Sequence, residues 1–341
     1  MPRRDRPTII DVAARAGVSK SLVSLVLRGA PNVSEERRRA VLEAAAELGY
    51  RPNAMARSLV RRRSDLVGVM VSDLHNPFFT AVIDGIAAAA QANGYRALLN
   101  AGDRTSDGER DAVETLLQLR ADGLILVGTV VSEELIDRVA ADTHIVLASR
   151  QSTSRLADSI VTDDATGCRL AVDHLVALGH RRIGHVTGGS GAGAAERLRG
   201  FQAAMDRHGL LEHAMVADGS FTEAGGIAGV EALLSATALP TAVFAANDQA
   251  AIGALRALAS AGLRVPEDVS VVGYDDTYLA AFEHIDLTSV HQAAVEMGRE
   301  SVRLLIERTD GGRTKVRHVT MAPGLTVRGS TSRPRSRTTS R

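Results

Sequence analysis

The 341-residue chain contains a single cysteine, Cys168, which excludes a disulfide framework and any multi-cysteine metal site. It has six phenylalanines, and only two lysines against 38 arginines. Its longest apolar run, Gly123 to Val131, falls far short of the ~20 residues that a membrane-spanning helix needs. No apolar stretch follows the charged start Met1-Pro-Arg-Arg-Asp-Arg, so no secretory signal is expected and the expected location is the cytoplasm. Hydrophobic residues make up 45% of the chain, enough for sizeable cores, and the length suits two or three folded units.

The formal net charge is zero, but the charge is unevenly placed. Residues 1–64 carry 14 basic and 6 acidic side chains, and residues 330–341 carry four arginines and no acid. The stretch between is left with 22 basic and 34 acidic groups. A small basic head on an acidic body suits a polyanionic partner for the head alone.

Residues 8–49 read as three short helices. Thr8 and Asp11 can form a capping box for the first, with Val12, Ala13 and Ala16 as its apolar stripe. Gly17-Val18 makes a tight turn, Ser19 caps the second helix, and Ser34 caps a third whose Val41, Leu42, Ala45 and Leu48 form its inner face. A turn of Ala16-Gly17-Val18-Ser19 between two short helices is a helix-turn-helix pattern. Leu22, Val23, Val26 and Leu27 can pack inward, leaving Lys20, Ser21, Ser24, Leu25 and Arg28 on or beside the outer face.

A short helical stretch from Ala54 to about Val60 and a basic linker, Arg61-Arg62-Arg63-Ser64, follow. From Leu66 onward, near-continuous apolar strands alternate with amphipathic helices: 66–72, 95–100, 124–127, 145–148, 182–187, 241–246 and 269–273. That alternation predicts parallel sheets covered on both faces. A break near residues 160–164 divides the region into two α/β lobes, roughly 65–161 with 292–320 and 162–291 with 321–329. The Ser/Thr/Arg/Pro tail, residues 330–341, reads as disordered.

Ligands of open α/β sheets bind beyond the carboxyl ends of the strands. The polar residues there are Asp73, Ser149-Arg150, Asn247-Asp248 and Asp275-Asp276. Arg197, near a helix start, suits a clamp for hydroxyls or a carboxylate, and Phe78, Phe79 and Phe221 suit flat apolar walls. Such a set fits a sugar or another small polar ring. The competing enzyme reading is a nicotinamide-dependent oxidoreductase, with Gly189, Gly191 and Ala194 as a dinucleotide loop and Asp218 as a ribose acceptor. His174, His180 and His185 lack zinc-ligand spacing. No catalytic residue, metal or cofactor is expected.

The run Thr8-Ile9-Ile10-Asp11-Val12-Ala13-Ala14-Arg15-Ala16-Gly17-Val18-Ser19-Lys20-Ser21-Leu22-Val23-Ser24 resembles the headpiece of the lactose-repressor (LacI/GalR) family. Asn32-Val33-Ser34, Leu48-Gly49-Tyr50 and Arg51-Pro52-Asn53-Ala54-Met55-Ala56-Arg57-Ser58-Leu59 match it too, and the likeness covers nearly all of residues 8–329. The resemblance implies a periplasmic-binding-protein-like body and a homodimeric, ligand-controlled repressor on a near-palindromic duplex. It implies that Lys20 and Ser21 begin the major-groove helix and that Leu59 is a minor-groove wedge on a hinge helix. A helix that short is marginal in water, in keeping with ordering on DNA. Thr8, Ser19, Asn53, Ala56 and Arg57 join the DNA-contacting set. The resemblance places Asp73, Asn76, Phe78, Phe79, Arg197, Phe221, Asn247 and Asp275 in the effector pocket. Leu22 stands where the family commonly has threonine and Leu25 where it often has arginine, so a relative's operator does not transfer. Ser149-Arg150 lacks the aspartate common before that arginine.

Overall fold

The computed structural model describes residues 7–27, 29–50 and 63–335. They fall into two compact units, residues 1–64 and 65–341.

In the first unit, α1 (Ile9–Arg15), α2 (Lys20–Leu27) and α3 (Glu35–Glu47) enclose a core of Val12, Ala13, Val23, Val26, Val41 and Ala44. Gly17 turns the chain between α1 and α2 at φ 65°, a left-handed conformation that a side chain would strain. Two details differ from expectation. Ser34 flanks α3 without a side-chain capping bond. Leu42 is 49% exposed, because the inward stripe of α3 runs through Val41, Ala44 and Ala45 and the residue next to Val41 turns about 100° away from it.

The second unit contains two six-stranded sheets. β1 (Leu66–Val71), β2 (Arg96–Ala101), β3 (Gly123–Val127), β4 (Ile145–Ala148), β5 (Asp158–Thr162) and β11 (His318–Met321) form the first, in the order β11-β5-β4-β3-β1-β2, with every pair parallel. β6 (Ile183–Val186), β7 (Ala214–Ala217), β8 (Ala242–Ala245), β9 (Ser270–Asp275), β10 (Thr288–His291) and β12 (Gly324–Thr326) form the second, where β12 alone runs antiparallel, against β10. β3, β4, β6, β8 and β9 are buried along their whole length, as strands covered on both faces must be. The chain passes between the sheets three times, after β5, after β10 and after β11. The short β5, β10, β11 and β12 gave no clear strand pattern in the sequence.

Helices cover both sheets: α4 (Pro77–Ala92), α5 (Ser106–Gln118), α6 (Glu133–Ala140) and α11 (Ala294–Thr309) on the first, and α7 (Asp164–Ala177), α8 (Ala194–Arg207), α9 (Glu223–Leu234) and α10 (Asp248–Ser260) on the second. Each lobe has a helix pair in which a glycine brings the backbones together. A Cβ on Gly85 of α4 would lie 2.1 Å from the Val295 carbonyl oxygen of α11, and one on Gly226 of α9 would lie 2.0 Å from that of Ala250 in α10. Only glycine permits either approach.

The segment 330–335 is ordered, contrary to the disorder expected of it. Ser330 Oγ donates to the Val271 carbonyl at 2.6 Å, Thr331 Oγ1 lies 2.9 Å from His174 Nε2, and Arg335 pairs with Asp268 at 2.9 Å. Its hydroxyls find buried backbone and histidine partners, which composition alone cannot reveal. Residues 336–341 lie outside the described residues.

Candidate nucleic-acid interface and effector cleft

In the first unit, Thr8 and Asp11 form the capping box: Thr8 N donates to Asp11 Oδ2 at 2.7 Å, and the Thr8 side chain accepts from Asp11 N. The Thr8 amide and, at 2.8 Å, the Thr8 hydroxyl both donate to Asp11 Oδ2 and hold that carboxyl below its ordinary value. Ser19 Oγ accepts from Leu22 N at 3.2 Å and so satisfies one free amide of α2. Val23 and Val26 are buried, Leu22, Ser24 and Leu27 are half-buried, and Lys20, Ser21 and Leu25 are exposed. One face of α2 therefore carries the candidate contacts and the other carries the core. Arg28, Asn53, Ala56, Arg57 and Leu59 lie outside the described residues.

In the second unit, the carboxyl ends of both sheets border a cavity of about 360 Å³. Its first-lobe wall includes Asp73, Asn76, Phe79 and Arg104, and its second-lobe wall includes Phe221 and Thr222. The two rings are seated on glycine. A Cβ on Gly128 would come within 2.2 Å of the Phe79 ring, and Cβ atoms on Gly188 and Gly191 within 2.4 and 2.5 Å of Phe221. A second space of about 310 Å³ adjoins it, sharing Val130, Ser190, Gly191 and Ala192 and reaching Arg150 and Glu196. Asp73 Oδ1 accepts from His75 N at 2.8 Å, and its Oδ2 lies 3.7 Å from Arg104. Asn76 caps α4, its Oδ1 accepting from Phe78 N at 3.0 Å.

Phe78 does not wall the cavity. It is 3% exposed and packs in the core with Val82, Ile86 and Met297. Consecutive helix residues point about 100° apart, so when Phe79 faces the cleft Phe78 turns to the sheet. Ser149, at φ 62°, and Arg150 border a much smaller space of about 10 Å³, beside Arg197 and Gln292. The Arg150 guanidinium is held by the Thr129 and Val131 carbonyls and by Glu133 at 2.9 Å.

Arg197 is the centre of a buried charge network. It donates to the Ala246 carbonyl at 2.6 Å, to Asp164 at 3.2 Å and to Asp275 at 3.4 Å, and it lies 3.8 Å from the centroid of Tyr274. The Tyr274 hydroxyl donates to Asp164 at 2.7 Å, and Gln292 donates to Asp275 at 2.6 Å. Burial opposes the Arg197 charge, but Asp164 and Asp275 more than offset it and hold its pKa above the ordinary value. Burial pushes the Asp275 carboxyl up to about 8, against the downward pull of Arg197. Asn247 stands behind the cleft: its Oδ1 caps α10 through Ala250 N at 2.8 Å, and its Nδ2 donates to the Phe221 carbonyl at 3.2 Å.

Sequence reasoning missed Arg104, Asp164 and Gln292. Asp164 follows β5 and Gln292 follows β10, two strands too short to stand out, so their strand-end position went unseen. His174, His180 and His185 take structural roles. His180 bonds Thr241, Ser270 and the Ser332 carbonyl, while burial holds His185 down to about pKa 4 between Phe201 and Phe244. Cys168 is buried, and burial pushes its thiol up. No helix among the described residues is long and apolar enough to cross a membrane.

Comparison with known proteins gives two family matches: "Bacterial regulatory proteins, lacI family" over residues 8–53, and "Periplasmic binding protein-like domain" over residues 172–331. The chain is 36% identical to the HTH-type transcriptional regulator AscG of Escherichia coli (strain K12) over 312 residues, which is 89% of this chain and 93% of AscG. Among solved structures it resembles the lac repressor dimer bound to operator and the anti-inducer ONPF, with a TM-score of 0.85 and 32% identity over 96% of this chain and 100% of that one. It also resembles a complex of transcriptional regulator CelR with cellobiose, with a TM-score of 0.71 and 34% identity over 95% of this chain and 100% of that one.

Proposed function

The chain belongs to the lacI family of bacterial regulatory proteins, and from that premise we propose that it is a homodimeric repressor whose operator affinity is set by a sugar bound between the lobes of its body. The observation that carries the sensor is the cavity of about 360 Å³ at the carboxyl ends of both sheets, with one phenylalanine wall from each lobe. Apolar ring faces with a few convergent polar groups suit a sugar, which presents C–H faces and a rim of hydroxyls. The relative whose structure holds cellobiose supports that ligand class.

Asp73, Asn76, Phe79 and Phe221 are assigned to ligand contact in the large cavity. Ser149, Arg150 and Arg197 border only smaller spaces beside it, and the buried Asp275 reaches a ligand through Arg197, its partner at 3.4 Å. Asn247 supports the Phe221 wall. On the head, Lys20, Ser21, Ser24, Leu25 and Arg28 read the major groove of a near-palindromic duplex, a two-fold protein favouring a two-fold site. Thr8 and Ser19 contact the phosphate backbone from the helix starts. Asn53, Ala56, Arg57 and Leu59 belong to the hinge segment. A coupling of ~1–3 kcal/mol between ligand and operator gives a several-fold to hundredfold switch.

The body is assigned no catalysis. In a dinucleotide loop the glycines admit a pyrophosphate. Here the Cβ directions of Gly188 and Gly191 meet the Phe221 ring and that of Gly189 meets the Gly219 carbonyl at 2.8 Å, so these glycines serve to seat the Phe221 wall of the cavity. The test is fluorescence anisotropy on DNA flanking the protein's own gene, at fixed salt with nonspecific competitor, titrated with sugars, nucleosides and NAD. Competitor-resistant binding shifted by one sugar is expected. Absence of specific DNA binding together with tight NAD binding would overturn the assignment.

A further inference from the structure

Three successive residues at the start of α10 bond three separate parts of the body. Asn247 donates to the Phe221 carbonyl at 3.2 Å. Asp248 accepts from Thr277 N at 2.7 Å and from Ser289 Oγ at 2.6 Å. Gln249 reaches across the cleft, where its Nε2 donates to the carbonyl oxygen of His75 at 3.0 Å. His75 lies in the first lobe, on the loop between β1 and α4, flanked by the cavity residues Asp73 and Asn76.

We propose that Gln249 is a positioning residue, a latch that holds the two lobes closed around the cavity through the backbone of His75. One helix start then grips both walls: Asn247 fixes the Phe221 side and Gln249 fixes the Asp73–Asn76 side. The Gln249 Oε1 is buried with no partner in the closed arrangement. A cavity built from both lobes binds best when both walls are present. The closed fraction set by Gln249 therefore scales the apparent ligand affinity. The consequence for operator control rests on the regulatory reading above; the latch itself does not.

The partner atom on His75 is a backbone oxygen, which separates the latch from any role of the imidazole. That ring is largely exposed and lies 3.2 Å from Asp73. The test uses the full chain without ligand, carrying nitroxide labels at Asp107→Cys on the first lobe and Ala224→Cys on the second. Both native side chains are exposed, and the buried Cys168 does not compete for label. Pulsed electron–electron spectroscopy reads the distance distribution between the labels, and thermal melting confirms that each variant folds.

Gln249→Leu and Gln249→Glu both lack the donor. Each is expected to shift the closed-to-open ratio by about 2- to 10-fold towards the longer distance, the range of one neutral hydrogen bond. His75→Ala keeps the carbonyl and leaves the distribution unchanged. An unchanged distribution in both Gln249 variants overturns the latch, as does His75→Ala opening the cleft to the same extent. Operator anisotropy on the same variants separates the two readings. A cleft that opens with operator affinity unmoved keeps the latch and removes its regulatory coupling.

Discussion

Replacing Arg197 by methionine tests whether the buried charge network is wired as described. Methionine keeps the apolar stem of arginine but supplies no charge and no donor. The guanidinium is 6% exposed and serves the Ala246 carbonyl, Asp164 and Asp275, while stacking on Tyr274. Removing one partner of a buried ionic cluster leaves the others uncompensated, which costs ~3–5 kcal/mol. The cost depends on pH. Burial already pushes Asp275 up to about 8 with Arg197 present, and without that cation the carboxyl rises further. In the unfolded chain it ionises near its ordinary value of ~3.9. Between these two pKa values the folded state holds a proton that the unfolded state has lost. Stability is therefore full below the unfolded value and falls as pH rises, by ~1.4 kcal/mol per unit for one such group. In the variant this window extends upward, so its deficit against the native chain widens from pH 6 to pH 9. Urea unfolding of the full chain at both pH values measures this, read by circular dichroism because the chain contains no tryptophan. A loss below ~1 kcal/mol at pH 9, or a deficit identical at the two pH values, would refute the reasoning.

Gly188→Val is expected to abolish ligand binding while the body keeps its fold, since a Cβ there meets the Phe221 ring at 2.4 Å and displaces that wall; isothermal titration with the effector reads it. Thr8→Ala removes the cap of α1 and is expected to cost ~0.5–2 kcal/mol of head stability, seen as faster amide exchange in residues 9–27 with the body unchanged. Leu59→Ala is expected to weaken operator binding while sparing much of the salt-dependent nonspecific binding, because an apolar wedge contributes no phosphate contact. Operator titrations at two salt concentrations decide it, and an unchanged operator affinity excludes the wedge.

Much of the fold was legible because its signals are local. Short apolar runs such as Gly123–Val127 and Ile145–Ala148 read as strands buried on both faces, and the capping box joins Thr8 to Asp11, three residues on. Gly17 announced its own turn, since few other residues adopt its backbone angles. The strand-end residues Asp73 and Asp275 were findable for the same reason: a polar residue that ends an apolar run marks the rim of a parallel sheet.

What remained hidden depends on contacts between distant parts of the chain. Sequence places Phe78 and Phe79 equally well in the pocket, and only the packing of α4 sends one to the core and the other to the cleft. Arg150 reads as a free ligand group, yet three partners 17 to 21 residues away occupy its donors. The polar segment 330–335 reads as a loose tail until Val271 of the second sheet and His174 of α7 meet its hydroxyls. The bond from Gln249 to His75 joins residues 174 apart. The amino-acid order by itself determined the helices, the principal strands, the basic head and the rim of the cleft, because each arises from periodicity, capping or charge within a short window. Tertiary structure alone decided which rim residues stay open and which are spent on the protein itself. A side chain's free valences depend on what the folded chain brings within about 3 Å of it.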